Sequence, residues 1–160
     1  MPRTALIVPA PEAEPQVGEL RLAHDWSAAR GVPAHVTILF PFFDTTELDG
    51  AAVAELISSF PAFDFELDRV EHFPDGTTWL RPTPSLPFVD LTAAVWQRWP
   101  ERPPYEGIHD EVIPHLTISD TLIDVQLELP IAARAREVML IEEDESNGRW
   151  TARLHLPLLG

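Results

Sequence analysis

Apolar residues come in short blocks along this chain, and the period within each block predicts its element. Thr4–Val8 is a compact apolar run that predicts a first strand, ended by Pro9, Pro11 and Pro15. Val17, Leu20, Leu22 and Ala23 fit a short helix reaching towards Arg30, with Gly31 as its stop. Ala34–Phe40 predicts a second strand, closed by Pro41. Glu47–Phe60 is the clearest helix: Leu48, Ala51, Ala52, Glu55, Leu56 and Ser59 lie on or beside one stripe, with Thr45 or Thr46 as cap. Phe63, Phe65 and Leu67 then alternate with Asp64, Glu66 and Asp68, a half-buried strand that Val70 and Phe73 extend with a change of phase. Pro74-Asp75-Gly76 is a turn, and Thr77–Arg81 returns from it as the second arm of a hairpin. Phe88–Trp99 reads as a helix with Leu91, Val95 and Trp99 stacked along one side, and of Trp96 and Trp99 one is expected buried and the other at the rim. Residues 100–107 form a loop, Val112–Ser119 contains a strand, and Val125–Leu129 is a further strand. Glu137–Glu142 and Arg149–Leu156 flank an Asn147-Gly148 hairpin signal.

Two parts of this pattern resemble each other. Strand Thr4–Val8, prolines, helix, loop and Pro33-Ala34-His35-Val36-Thr37-Ile38 are echoed by strand Thr77–Arg81, prolines, helix, loop and Pro114-His115-Leu116-Thr117-Ile118. One duplication of this kind predicts two lobes about a pseudo-two-fold axis, with the motif strands facing each other across a cleft. Successive side chains on a strand alternate faces. His35 and Thr37 therefore share one face while Val36 and Ile38 anchor the other, and His115 and Thr117 do the same against Leu116 and Ile118. Two imidazoles and two hydroxyls on rigid strands suit the cleavage of a phosphodiester. Histidine can take the proton of the attacking oxygen or give one to the leaving oxygen at neutral pH. The hydroxyls, with backbone N–H groups, can hold the non-bridging oxygens. Either direction of reaction is compatible with this set, and no metal is required.

Composition narrows the chemistry. The chain has no cysteine, so a disulfide framework, a Cys-ligated metal and a thiol nucleophile are all excluded. All 11 basic residues are arginine; without lysine there is no Schiff base, no P-loop lysine and no lysyl-adenylate intermediate. The net charge of −15 disfavours long nucleic acids, which are held by neutralising phosphates. The 160 residues suit one domain over residues 1–160, large enough to bury roughly 70% of the surface its unfolded chain exposes. The first apolar run is too short for a signal-peptide core or a membrane span. A monomeric cytoplasmic protein is expected.

At PAHVTILFPF, TTWLRPTP, IPHLTIS and a C-terminal strand ending in LPL, the sequence resembles the two-histidine (2H) phosphoesterase superfamily, the 2′-5′ RNA ligase-like or LigT-like proteins. The resemblance spans nearly the whole chain. It implies an α+β, two-lobed fold of antiparallel sheets with helices outside and a central active-site cleft. It implies a phosphoesterase without cofactor that opens 2′,3′-cyclic phosphates or handles 2′,5′ linkages in RNA. By the motif match, His35 and His115 would be catalytic and Thr37 and Thr117 phosphate-binding. Members that process RNA often carry a basic residue soon after one motif. Here Leu39-Phe40-Pro41-Phe42-Phe43 and Ser119-Asp120 follow instead. With the acidic charge, this favours a small nucleotide or cyclic phosphate over long RNA.

Other residues are weaker candidates. Phe42, with Phe40 and Phe43, leaves the first motif strand where a base could stack, although core packing is the commoner role. Tyr105, the only tyrosine, lies in a loop that borders the cleft in similar proteins. Arg81 sits on the strand equivalent to the first, within reach of a phosphate; Arg149 and Arg153 are alternatives, and a solvated surface role is commoner for each. His24-Asp25 and His109-Asp110-Glu111 match no compact metal site, and His72 and His155 lack the motif context. Two other functions fit the same residues: a nucleotide-binding or regulatory module without catalysis, and a metal hydrolase using both motif histidines with a carboxylate.

Overall fold

A computed structural model describes residues 3–108 and 111–160. Eight strands form two antiparallel four-stranded sheets. One has the order β2-β1-β7-β8, from β1 (Thr4–Pro9), β2 (His35–Phe42), β7 (Glu137–Glu143) and β8 (Trp150–Pro157). The other has the order β5-β4-β3-β6, from β3 (Phe63–His72), β4 (Thr78–Thr83), β5 (Leu116–Ser119) and β6 (Ile131–Ala135). The expected α+β architecture of two antiparallel sheets with helices packed on them is what the chain adopts. The sheet orders also match strand for strand: β1 and β4 lie beside the motif strands, and β7 and β3 complete the interior.

The motif strands β2 and β5 are both edge strands, and they approach each other without pairing. An edge strand keeps unpaired backbone N–H and C=O groups, usually a liability. Here two such edges border one cleft. Helices α1 (Glu14–His24) and α4 (Leu86–Arg98) hold them there by crossing over: α1, from the first half, packs near β5, and α4, from the second, packs on β2. The Thr92 hydroxyl donates to the Ile38 carbonyl at 2.7 Å, and the Asp120 amide donates to the His24 carbonyl at 2.9 Å.

Strand register follows from burial. Val36, Ile38, Leu116 and Ile118 all enter one core with Leu6, Val8, Leu80, Phe88 and Leu91. Each such side chain is worth about 1.5–3 kcal/mol when fully buried. A one-residue slip of β2 would expose Val36 and Ile38 and push His35 and Thr37 inward, so the core sets which face carries the motif. β1 is buried on both sides, because Ala5 and Ile7 join a second cluster with Val32, Met139, Ile141 and Trp150.

Several local expectations differ from the structure. The helix reaching Arg30 breaks at Asp25 into α1 and a short α2 (Trp26–Ala29), where the Asp25 carboxylate caps by accepting from the Ser27 amide. The residue α1 buries besides Val17 is Arg21, while Leu22 is 63% exposed. The helix expected at 47–60 is α3 (Gly50–Ser58); Asp49 caps it, and it buries Val53 and Ile57 rather than the predicted stripe. Asp44 draws Thr46 into a turn through its amide and hydroxyl, and the Thr45 hydroxyl donates to Glu142, so neither threonine caps the helix. Pro41 does not close β2, which runs on to Phe42 opposite Thr4. A proline is tolerated there because an edge strand needs donors on one side only. Residues 125–129 form no strand, and Ile131–Ala135 pairs with β3 instead. The phase change after Leu67 is a register shift between Leu67 and Arg69.

Candidate active site

The same register places both motifs against their neighbours. On one side Ile7 lies opposite Thr37 and Val8 opposite Val36; on the other Trp79 lies opposite Thr117 and Leu80 opposite Leu116. The backbone then orients each imidazole. His35 Nδ1 lies 2.8 Å from the Pro33 carbonyl, and His115 Nδ1 lies 2.7 Å from the Ile113 carbonyl. A carbonyl can only accept, so Nδ1 carries the proton in both rings and the neutral tautomer presents Nε2 as a base. His115 stands just ahead of β5 rather than inside it.

His35, Thr37, His115 and Thr117 line one pocket of about 210 Å³. Ile7, Phe40, Ile141 and Trp150 give it an apolar wall. A second pocket of about 540 Å³ adjoins it, shares Tyr105, His115, Thr117 and Asp120, and extends past Phe73, Asp75 and Glu111. A larger open groove, about 960 Å³, runs along α1 and touches none of the motif residues. The two smaller pockets are where the sequence places the chemistry.

The two histidines have different surroundings. Burial pushes His35 down to about 4; the Pro33 carbonyl opposes this, the nearby Arg21 adds to it, Asp25 opposes it and His115 adds slightly. Both histidines keep part of their surface open to the cleft, so the rings are crowded but not sealed. Arg21 is 2% exposed and donates from Nε and Nη2 to the Asp25 carboxylate at 3.2 and 3.1 Å, and from Nη1 to the Val32 carbonyl. His115 is also held below the usual histidine value, by burial, against its bond to Ile113. Its neighbours are aromatic: Phe73 meets the ring edge-on at 5.0 Å, Trp79 lies at 5.9 Å, and Phe73 stacks on Trp79.

Tyr105 enters from the loop before the second motif, in a tight turn over Pro104–Gly107. Tyr105 and Glu106 both adopt left-handed backbone angles, φ 50° and 57°, followed by Gly107 at 77°. Each non-glycine residue in that conformation costs of order 1–3 kcal/mol and persists only where its surroundings hold it. The phenol is hydrogen-bonded with the Thr37 side chain, and burial raises its pKa more than that bond lowers it.

The remaining sequence candidates lie elsewhere. Phe42 is 4% exposed and packs edge-on against Phe43 and Trp99, so it belongs to the core; Phe40 is the phenylalanine that lines the cleft. The Arg81 side chain is engaged with the Asp68 carboxylate at 3.1 Å and lines a different pocket, with Trp79, Ser85 and Val112. Arg153 pairs with Glu142, and His155 lies beside Glu137; Arg149, His24 and His72 are exposed. His109 and Asp110 lie outside the described residues. Among the described residues, no group of three or more His, Asp or Glu is arranged to hold a metal ion. Sequence reasoning passed over Asp120, which accepts from the Trp26 amide at 2.9 Å and whose pKa burial raises. It also passed over the Arg21–Asp25 pair, whose i, i+4 spacing was its one visible sign.

The fold is shared with solved structures. The chain superposes over its whole length on E. coli LigT complexed with 3′-AMP, with TM-score 0.69, 19% identity and full coverage of both chains. The E. coli LigT complex with NADP+ matches at TM-score 0.66 and 20% identity, covering 99% of this chain and 98% of that one. A protein of Thermus thermophilus matches at 0.65 and 20% with the same coverage. Identities this low show a common fold and nothing finer. No curated protein sequence matches the chain. A family model does match, over residues 9–153, which take in both motif strands; the chain belongs to the 2′-5′ RNA ligase superfamily, the 2H phosphoesterases.

Proposed function

We propose that this protein is a metal-independent phosphoesterase, working as one two-lobed unit, that hydrolyses a 2′,3′-cyclic phosphate or a 2′,5′-linked phosphodiester in a small nucleotide. The observation that carries the reading is the pair of imidazoles, each with Nδ1 bonded to a carbonyl two residues upstream, lining one pocket with two threonines. Family membership supports the reaction class. The E. coli LigT structures hold 3′-AMP and NADP+, which supports a nucleotide of that size.

In hydrolysis, His35 Nε2 removes a proton from water as its oxygen attacks phosphorus. The P–O bond to the 2′ or 3′ oxygen breaks, and His115 gives that oxygen a proton. Water is added across the bond, and a phosphomonoester results. His35 takes the base role because burial and Arg21 keep it neutral. His115 takes the acid role, with no arginine acting on it among the described residues; a bound anionic phosphate favours its charged form. Thr37 and Thr117 donate to the non-bridging oxygens, and the roles of the two histidines exchange in the reverse direction.

The test is turnover of 2′,3′-cyclic AMP and of a 2′,5′-linked dinucleotide in chelator, by the wild type and by His35→Ala and His115→Ala. Turnover in the wild type and its near-complete loss in both variants is expected. Activity surviving in either variant removes the paired-histidine mechanism, and tight nucleotide binding without turnover makes the protein a binding module.

A further inference from the structure

The pockets beside the motifs lack what phosphate sites usually have. All 11 arginines are among the described residues, and none of them lines either pocket. Two approach the lining but are already engaged: Arg21 with the buried Asp25 carboxylate, and Arg3, whose guanidinium lies over Phe40 and Trp150, bidentate with Glu143 at 2.9 and 2.8 Å. The carboxylates of Asp75, Glu111 and Asp120 line the larger pocket. Apart from the His115 imidazolium, charge building on the phosphoryl oxygens is therefore met, among the described residues, by neutral donors, and these count for more inside a cleft than in water. Thr37 and Thr117 supply two hydroxyls. A third is the phenol of Tyr105, the one side chain other than His115, Thr117 and Asp120 that borders both pockets.

Resting on the phosphoesterase reading above, we propose that Tyr105 is a catalytic residue whose phenol donates a hydrogen bond to one non-bridging oxygen of the reacting phosphate, in place of a cationic clamp. Three observations meet at this residue. It borders both pockets, together with His115 and Thr117. Its hydroxyl is already bonded with Thr37, so it is aimed at the phosphate-binding set before substrate arrives. Its backbone and that of Glu106 are held left-handed, strain of the kind that collects where a side chain must be presented at one angle. Its raised pKa keeps the phenol protonated, and so a donor, across the working range of the histidines. The bond strengthens as charge moves onto the oxygen, so it acts on the chemical step more than on binding.

Tyr105→Phe removes the donor and keeps the ring. With 2′,3′-cyclic AMP, kcat should fall about 10- to 100-fold, while KM stays within about twofold. A purely structural role could mimic that loss, so the decisive substrates are the two phosphorothioate diastereomers of the cyclic nucleotide. Sulfur accepts a hydrogen bond poorly, and each diastereomer places it on one non-bridging position. The wild type should prefer one diastereomer, and Tyr105→Phe should lose most of that preference. Wild-type turnover by the variant, a variant defect with unchanged preference, or a wild type without preference each overturns the proposal. His115→Ala, assayed alongside, separates the two failures. A dead His115→Ala with a fully active Tyr105→Phe removes only the tyrosine, an active His115→Ala removes the paired-histidine mechanism, and a wild type without turnover removes the phosphoesterase reading itself.

Discussion

The two halves of the cleft carry the same motif in different settings. Each His-x-Thr lies along a sheet edge, each threonine faces the matching position on its neighbouring strand, and each imidazole gives its Nδ1 proton to the carbonyl two residues back. Around His35 the protein has buried an arginine and its aspartate; around His115 it has placed Phe73 and Trp79. The backbone thus decides where the ring nitrogens point, and the surroundings decide how readily each ring holds a second proton. One duplicated element can supply a base and an acid for that reason: proton affinity responds to neighbours that lie outside the motif.

The strongest way to break the comparison is to remove each imidazole in turn. His35→Ala and His115→Ala should each lower kcat by about 10²- to 10⁴-fold, and the double variant should be little worse than either, because the groups act as a unit. If steady-state rates show one histidine dispensable, the halves are not partners.

Next in size is the buried pair peculiar to the first half. Arg21→Met leaves Asp25 as an unpaired buried charge and should cost about 3–5 kcal/mol of stability, read by denaturant unfolding. It also removes a cation that holds His35 down. The acid limb of kcat/KM should therefore move to higher pH, provided His35 is the base. A limb that stays in place would reassign that role to His115.

The threonines test the symmetry of phosphate binding. Thr37→Val and Thr117→Val should each reduce kcat by about 10²-fold. Thr37→Val should be the more damaging, since that hydroxyl also engages Tyr105. Equal losses would separate Tyr105 from the first half.

The smallest effect is on stability against pH. His35 is depressed from 6.5 to about 4 in the folded protein, so between those values the unfolded chain binds the proton more readily. The contribution of His35 to stability is complete above 6.5 and is lost as pH falls towards 4. His35→Gln should therefore lose less Tm than the wild type between pH 7 and pH 4.5. Parallel melting curves would mean that His35 is not depressed.

Much of this was legible in local patterns. The β3–β4 hairpin, the β7–β8 hairpin and helix α4 all follow from alternation, turn chemistry and i, i+4 spacing, which are short-range constraints. The errors came where a local signal competed with a tertiary one. Leu22 and the Leu48 stripe looked buried by hydropathy, yet Arg21 and Val53 took those places. β6 was missed because Ile131–Ala135 carries a weak alternation and becomes a strand only by pairing with β3.

The sequence by itself determined that His35 shares a face with Thr37 and His115 with Thr117, since strand alternation needs only the order of residues and a core to receive Val36, Ile38, Leu116 and Ile118. It also ruled out lysine and cysteine chemistry. Only the tertiary structure decided that Phe42 turns into the core while Phe40 faces the cleft, that Arg81 is engaged with Asp68, and that Arg21 sits near enough to His35 to influence its proton. Those outcomes depend on distances between residues far apart in the chain, which the crossing of α1 and α4 sets and no local pattern records.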